Sequence, residues 1–399
     1  MGTVIINNAT IYTEAGVLLK GFIKINNGKI TDVGAGEEIA NQTEVGNGHP
    51  SQEVIDLPAG YKMVPGMIDV HIHGANGADT MDATPEALAT IAAALPREGT
   101  TSFLATTITQ EVAAIETALQ TAGNFITNQA SSGAAEVIGI HLEGPFINEK
   151  RAGAQPLAHI IDPNVALFQK WQEIARNQIK MVTLAPEQPG GIELTRYLKE
   201  TGVVASIGHS DATLAQVDDA IAQGLTHVTH LYNQMREFHH REPGVVGAAL
   251  LRDDLVVEII ADGVHSRRES VQLAFRQKTA DRLQLITDAM RAKCLKNGTY
   301  DLGGQEVTVK GNKAYLPDGT LAGSVLEMGH AFRNMIKFSG CQVEDAIKMS
   351  STNAAKELGI FDRKGSIAVG KDADLVILDE DNDVYMTFCR GKLAYKRGD

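Results

Sequence analysis

The 399-residue chain holds only three cysteines, Cys294, Cys341 and Cys389, which are far apart and in no C-x-x-C pair. That excludes a disulfide framework and a thiolate metal site, and marks the three as reduced, incidental thiols. Also missing is any unbroken apolar run of the roughly 18 to 20 residues a membrane helix needs. The opening Met1-Gly2-Thr3-Val4-Ile5-Ile6 lacks the basic and apolar regions of a signal peptide, so a cytoplasmic protein is expected. Positive charge is in deficit, with 36 Lys and Arg against 49 Asp and Glu and a net charge of -13. This argues against nucleic acid or an anionic membrane as partner. An anionic small substrate would then need a local basic pocket. Fixed-period repeats and low-complexity tracts are absent as well.

What is present is enough apolar sequence, 43% of the residues, to bury a large core as one big barrel plus an appendage. From Thr3 to Ile55 short alternating runs such as Gly21-Phe22-Ile23-Lys24-Ile25 are punctuated by Asn26-Asn27-Gly28 and Gly34-Ala35-Gly36, which is hairpin chemistry. The same grammar returns in Ala373 to Leu378 and Val384 to Thr387, followed by Arg390-Gly391, so the two chain ends are expected to pair. Between them, apolar strands at 67–72, 101–106, 137–142, 181–185, 203–208, 227–231, 256–260 and 283–287 alternate with helical segments. Thr84 with Pro85 starts one such helix, and another spans Asp211 through Gln223 and ends at Gly224. Eight βα units predict the α/β class, a (β/α)8 TIM-like barrel over 63–365 with a small β-sandwich domain from 1–62 and 366–399.

Chemistry gathers at the C-terminal ends of those strands, where barrel active sites lie. The first ends in His71-Ile72-His73; residues i and i+2 of a strand face one side, so both imidazoles can face the mouth and share a metal. The third carries His141-Leu142-Glu143-Gly144-Pro145, the fifth Gly208-His209-Ser210, the sixth His230-Leu231-Tyr232-Asn233 and the eighth Thr287-Asp288-Ala289. Alone, a histidine is more often structural, and Asp288 could simply cap the next helix. Registration at five strand ends of one predicted ring favours a joint site.

The order His71-x-His73, Glu143, His209, His230, Asp288 resembles the amidohydrolase superfamily. The words Val64-Pro65-Gly66-Met67-Ile68-Asp69, His141 to Phe146, Thr229 to Asn233, Arg241-Glu242-Pro243-Gly244 and Ala261-Asp262-Gly263-Val264-His265 resemble its N-acetylglucosamine-6-phosphate deacetylase family. The resemblance covers almost the whole chain. It implies removal of the acetyl group from N-acetyl-D-glucosamine 6-phosphate by a metal-activated water, in amino sugar catabolism and recycling. It also implies that Glu143, His209 and His230 hold a divalent metal, that His71 and His73 hold a second if two ions bind, and that Asp288 is the general base and acid. Zinc or iron suits such ligands best, without excluding other divalent ions.

By the same resemblance Ala154, Gln155, Asn233, Gln234, Arg241, His265, Leu321, Ala322 and Gly323 contact the substrate, with Arg241 on the phosphate and His239 and His240 as candidates to join it. Some members carry histidine where Gln155 stands and alanine where Gln234 stands; an amide donates a hydrogen bond but does not titrate. A homodimer is implied, with a second subunit completing the phosphate site. No lysine stands at the fourth strand's end, Ala185-Pro186, where a bridging carbamylated lysine occurs elsewhere in the superfamily. That absence disfavours a hydrolase of cyclic amides or nucleobases. A catalytically silent sugar-phosphate binder on the same fold is the reading from another class.

Overall fold

A computed structural model describes residues 2–36, 52–129 and 133–398. Eight parallel strands form the barrel: β1 (Met67–Ile72), β2 (Thr100–Thr106), β3 (Glu136–Glu143), β4 (Ile179–Leu184), β5 (Val204–Ile207), β6 (His227–Val228), β7 (Val256–Ile260) and β8 (Leu283–Ile286). Seven parallel pairings join them in chain order. The strands are apolar and almost wholly buried because helices cover the outside, as a parallel sheet requires.

The eighth gap is closed differently. The Asp69 carboxylate accepts from Thr287 Oγ1 at 2.5 Å and Thr287 N at 3.3 Å, and Asp288 N donates to His71 O at 2.8 Å. Together with the isolated bridge of Ile72 to Ala289, these contacts bring β8 back to β1.

The chain ends meet as expected. Lys392–Lys396, Val384–Cys389, Leu375–Leu378, Lys62–Pro65, Thr3–Thr13, Gly16–Asn26 and Lys29–Ala35 lie side by side, and Gln52–Asp56 pairs with the first half of Thr3–Thr13. Ile6, Ile23, Ile25, Leu375, Ile377 and Phe388 share one apolar cluster there. Asn27 and Gly28 both take positive φ, 49° and 79°, the turn that matches strand twist. Gly34 and Ala35, expected in a turn, instead continue the ladder opposite Phe22 and Gly21, because pairing satisfies their backbone.

Two further boundaries move. The sixth strand, expected over 227–231, keeps only two residues: beyond Val228 the amides of His230 and Leu231 turn to the side chain and backbone of Glu258. The helix expected from Asp211 begins at Leu214, where Thr213 and Gln216 form a capping box, and it ends at Gly224 as foreseen. Thr84 caps the helix Pro85–Ala94 through Ala87 N. After β8 comes an element not anticipated, a three-stranded meander of Gly298–Leu302, Gln305–Lys310 and Lys313–Tyr315. It packs Leu302, Val307 and Ala314 against Ile108, Met290 and Ala322 and so roofs one side of the mouth. Among the described residues no helix is long and apolar enough to cross a membrane.

Candidate active site

Glu143, the last residue of β3, points into the mouth and is buried at its centre. Its Oε1 lies 3.2 Å from His209 Nε2, 3.1 Å from His230 Nε2 and 3.4 Å from His71 Nε2. Its Oε2 lies 3.2 Å from His73 Nε2. Asp288 faces Glu143 across the mouth, with Oδ1 3.4 Å from His71 Nε2 and 3.2 Å from His73 Nε2. The residues that the sequence marks at five strand ends thus converge on one point. They divide into two sets with ligand atoms close enough to share an ion: Glu143, His209 and His230; and His71, His73 and Asp288.

The backbone is bent to achieve this. His209, His230 and Asp288 take φ of 48°, 33° and 48°, a left-handed conformation that costs a non-glycine residue of order 1 kcal/mol or more. Each sits where a strand breaks, so the strain aims a side chain inward instead of letting it continue the ladder. Gly323, with φ 61°, brings its backbone beside Asp288; a Cβ there would lie 3.2 Å from Asp288 O, and Ser324 N donates to that carbonyl at 2.7 Å.

Neighbouring groups fix the imidazoles. His209 Nδ1 donates to Arg151 O at 2.8 Å, so its Nε2 lone pair faces the cluster. The Asn148 amide, the Ser210 hydroxyl and Asp211 N all donate to the Glu187 carboxylate, at 2.9, 2.7 and 2.8 Å, which braces the loop beside His209. His71 Nδ1 lies 3.0 Å from Glu258 Oε2, and that oxygen also accepts from His230 N at 3.1 Å. His141, on the same face of β3 as Glu143, has both ring nitrogens engaged, by Val70 O at 3.1 Å and Thr183 Oγ1 at 2.7 Å. Burial and the neighbouring His71 push it down to about 3, so it is a neutral structural imidazole.

The electrostatics favour a cation. Burial opposes charge on His73, yet Asp288 and Glu143 hold its pKa up at about 10; His71 is raised well above its ordinary value by Glu143, Asp288 and Glu258 against the same penalty. Glu143 is held well below the carboxylate range despite burial, chiefly by His71, His209 and His230, and Asp288 is lowered by His71 and His73. The Nε2 atoms of His209 and His230 face each other at 3.1 Å, and His71 Nε2 is buried with no hydrogen-bond partner. Lone pairs converging in this way, with two carboxylates, match the imidazole and carboxylate donors of zinc or iron.

The cavity above is lined by His73, Glu143, Ala154, Gln155, His209, His230, Asn233, Gln234, His265, Asp288, Leu321 and Gly323, all marked in the sequence, and by Ile108 and Leu302, which were not. His71 lies beneath its floor and Ala322 is buried in the roof's apolar cluster. Gln155 is pinned at both ends, its Nε2 donating to Glu143 Oε2 at 3.0 Å and its Oε1 accepting from Thr109 N at 2.8 Å. His265 Nδ1 donates to Asp262 Oδ2 at 2.7 Å, leaving Nε2 for a ligand. Arg241 is not brought to this cavity. It lies on an exposed loop, its guanidinium 3.0 Å from His240 Nε2. Ile108 and Leu302 carry no polar signal, and Glu258 and Glu187 stand outside the strand-end motifs; the signal for Glu258 was an acid inside the apolar run Val256-Val257-Glu258-Ile259-Ile260.

The amidohydrolase family profile matches residues 63–394. A relative from Bacillus subtilis (strain 168) named N-acetylglucosamine-6-phosphate deacetylase is 51% identical over 394 residues, 98% of this chain and 97% of that one. A relative from Escherichia coli O157:H7 named N-acetylgalactosamine-6-phosphate deacetylase is 36% identical over 83% of this chain and 87% of its own. Among solved structures, a mutant of the Mycobacterium smegmatis N-acetyl-D-glucosamine-6-phosphate deacetylase, in complex with N-acetyl-D-glucosamine-6-phosphate, superposes with TM-score 0.90 at 29% identity, covering 99% of this chain and 100% of that one.

Proposed function

This chain belongs to the amidohydrolase family, and within it to the N-acetylglucosamine-6-phosphate deacetylases; from that premise we propose that it hydrolyses N-acetyl-D-glucosamine 6-phosphate to D-glucosamine 6-phosphate and acetate, in amino sugar catabolism and recycling. The observation that carries the reading is the convergence of Glu143, His209 and His230 opposite Asp288 in one small cavity. Glu143, His209 and His230 would hold one divalent ion, zinc or iron, and His71 and His73 a second. Such an ion, when bound, lowers the pKa of water from ~16 towards ~7 and polarises the acyl oxygen.

The chain's own groups do the rest. Asp288, ionised and backed by His73, accepts the proton of the attacking water and delivers it to the sugar nitrogen as the carbon–nitrogen bond breaks, because an amide anion is a poor leaving group. Gln155 keeps one Nε2–H for the substrate carbonyl. Asn233, Gln234, His265 and the Leu321–Gly323 backbone orient the sugar. The catalytic unit is residues 63–365, with 1–62 and 366–399 as its β appendage.

The phosphate needs a cation that one copy's cavity does not supply. We assign it to Arg241, with His239 and His240, of a second copy in a homodimer. Phe238, Leu251 and Leu273 support this: they are 59%, 56% and 46% exposed and border one apolar groove beside the Arg241 loop. A cytoplasmic location fits the free state of all three cysteines.

The test is acetate release from the 6-phosphates of N-acetylglucosamine and N-acetylgalactosamine and from unphosphorylated N-acetylglucosamine, with chelated and metal-restored enzyme. Release that needs both phosphate and metal is expected. Metal-restored enzyme that leaves the sugar phosphates intact but cleaves another amide would overturn the substrate assignment.

A further inference from the structure

Beneath the cluster the barrel holds a second string of ionisable groups that touches no substrate. Glu258, in the middle of β7, is fully buried and braces His71 and His230 through Oε2. Its Oε1 lies 3.2 Å from Nε2 of His227, the fully buried first residue of β6. His227 Nδ1 in turn lies 3.0 Å from Glu357 Oε2, off the line of a hydrogen bond, so this last link is an ion pair. Glu357 ends the helix Asn353–Glu357 and lines a pocket with Val204, Thr226, Val256 and Arg282, at the starts of the barrel strands. A line of side chains therefore crosses the barrel from the ligand set to the end opposite the mouth.

Burial works against charge on His227, but the Glu357 and Glu258 carboxylates hold its pKa up at about 10. A protonated ring carries N–H at both nitrogens: Nε2–H donates to Glu258, and Nδ1–H lies beside the Glu357 carboxylate as a charge contact. With Oε1 engaged, Glu258 keeps Oε2 for His71 Nδ1–H, which directs the His71 Nε2 lone pair at the ligand cluster. Partners of this kind fix the tautomer and orientation of a metal-bound histidine. Take Glu357 away and His227 loses one of the two carboxylates that keep it charged, leaving Glu258 a buried carboxylate with a weakened partner.

We propose that Glu357 and His227 are positioning residues for the metal centre: through Glu258 they hold His71 in its ligating orientation, so ion retention depends on a carboxylate at the far end of the barrel. The inference rests on the metal-centre reading above. It is tested by dialysing zinc-loaded wild type, Glu357→Gln, Glu357→Asp and His227→Gln against graded chelator and measuring zinc per chain. Visible spectra of the cobalt-substituted proteins and far-ultraviolet circular dichroism accompany this, with Arg363→Met as a control that is destabilised elsewhere.

Folded Glu357→Gln and His227→Gln are expected to release zinc at about tenfold lower chelator and to shift the cobalt bands. Glu357→Asp, which keeps the charge, and Arg363→Met should stay near wild type. A folded Glu357→Gln protein with wild-type release and spectrum overturns the proposal, and so does Glu357→Asp failing as badly as Glu357→Gln. If Glu357→Gln does not fold, His227→Gln and Glu357→Asp carry the same comparison. A wild type that retains no zinc overturns the metal-centre reading itself, which sets that failure apart.

Discussion

Two clusters of charge in this chain are built on opposite plans. Where the chain leaves the barrel for the small sheet, Arg363 forks onto Glu136 with two 2.9 Å contacts and reaches Asp372 at 2.9 Å. Lys364 meets Glu136 at 2.8 Å and also Asp374, while Lys29 lies 2.7 Å from Asp372. Three cations face three carboxylates and every one has an opposite neighbour. At the mouth, four imidazoles and two carboxylates turn lone pairs towards one point. The first cluster is complete in itself, whereas the second calls for a cation. What separates the two clusters is how the charge is balanced: at the junction by fixed Lys and Arg cations, at the mouth by protons on imidazoles, which a metal ion can replace.

Breaking the mouth should cost turnover, and breaking the junction should cost stability. The largest effect is expected for Asp288→Asn, with kcat lower by roughly 10³-fold or more while KM and bound metal stay close to wild type, read by acetate release and metal analysis. If His209 is the ligand proposed, His209→Ala should lower metal retention by at least about tenfold in a chelator titration, the loss of activity being reversed in part by excess metal. At the junction, Arg363→Met should leave kcat unchanged but lower stability by about 2 kcal/mol in urea unfolding, because Glu136 and Asp372 lose a shared partner.

A pH series sharpens the contrast. Burial alone would raise the Glu136 carboxyl, but Arg363 and Lys364 hold it at about 2, below its ordinary 4.5. A depressed carboxylate stabilises the fold above its ordinary value and loses that contribution as pH falls from there through about 2. Wild type should therefore lose roughly 3 kcal/mol over that acid window that Glu136→Gln does not lose, measured as unfolding free energy at pH 6 and pH 2. The smallest effect is expected at the roof. There Gln305 Nε2 donates to Ala154 O at 2.6 Å, and Gln305→Ala should raise KM a few-fold, by about 1 kcal/mol, with kcat held.

The mouth was legible because strand ends are where sequence and position coincide. A histidine or acid that closes an apolar run can only stand at the rim, so Glu143, His209, His230 and Asp288 were found from pattern and family words together. The support was harder to read. Glu187 and Glu258 act through contacts 23 to 187 residues away in the chain, a reach that periodicity does not register. The meander after β8 did have a local signal, Gly303-Gly304 with φ of 59° and 79°, a hairpin turn of the same kind as Asn27-Gly28. Eight strands already complete the barrel, so the periodicity calls for no further strand after β8, and a glycine pair alone marks an ordinary loop equally well. The shortened sixth strand was illegible for a simpler reason: Thr229 and Leu231 still read as strand residues, and only Glu258 of another strand, whose carboxylate and carbonyl take the His230 and Leu231 amides, draws the backbone away.

The joint between β8 and β1 has a consequence of its own. Among the described residues its lacing is one bridge, the amide bonds from Asp288 to His71 O and from His73 and Gly74 to Ala289 O, and the grip of Asp69 on Thr287. Asp288 and the pair His71 and His73 therefore sit on opposite lips of a seam closed without a continuous ladder, held in register by three backbone bonds of 2.8 to 3.0 Å. Heat, pressure or an overfilled interior that widens the circumference by a fraction of an ångström would part Asp288 from the two imidazoles it faces before the rest of the barrel opened.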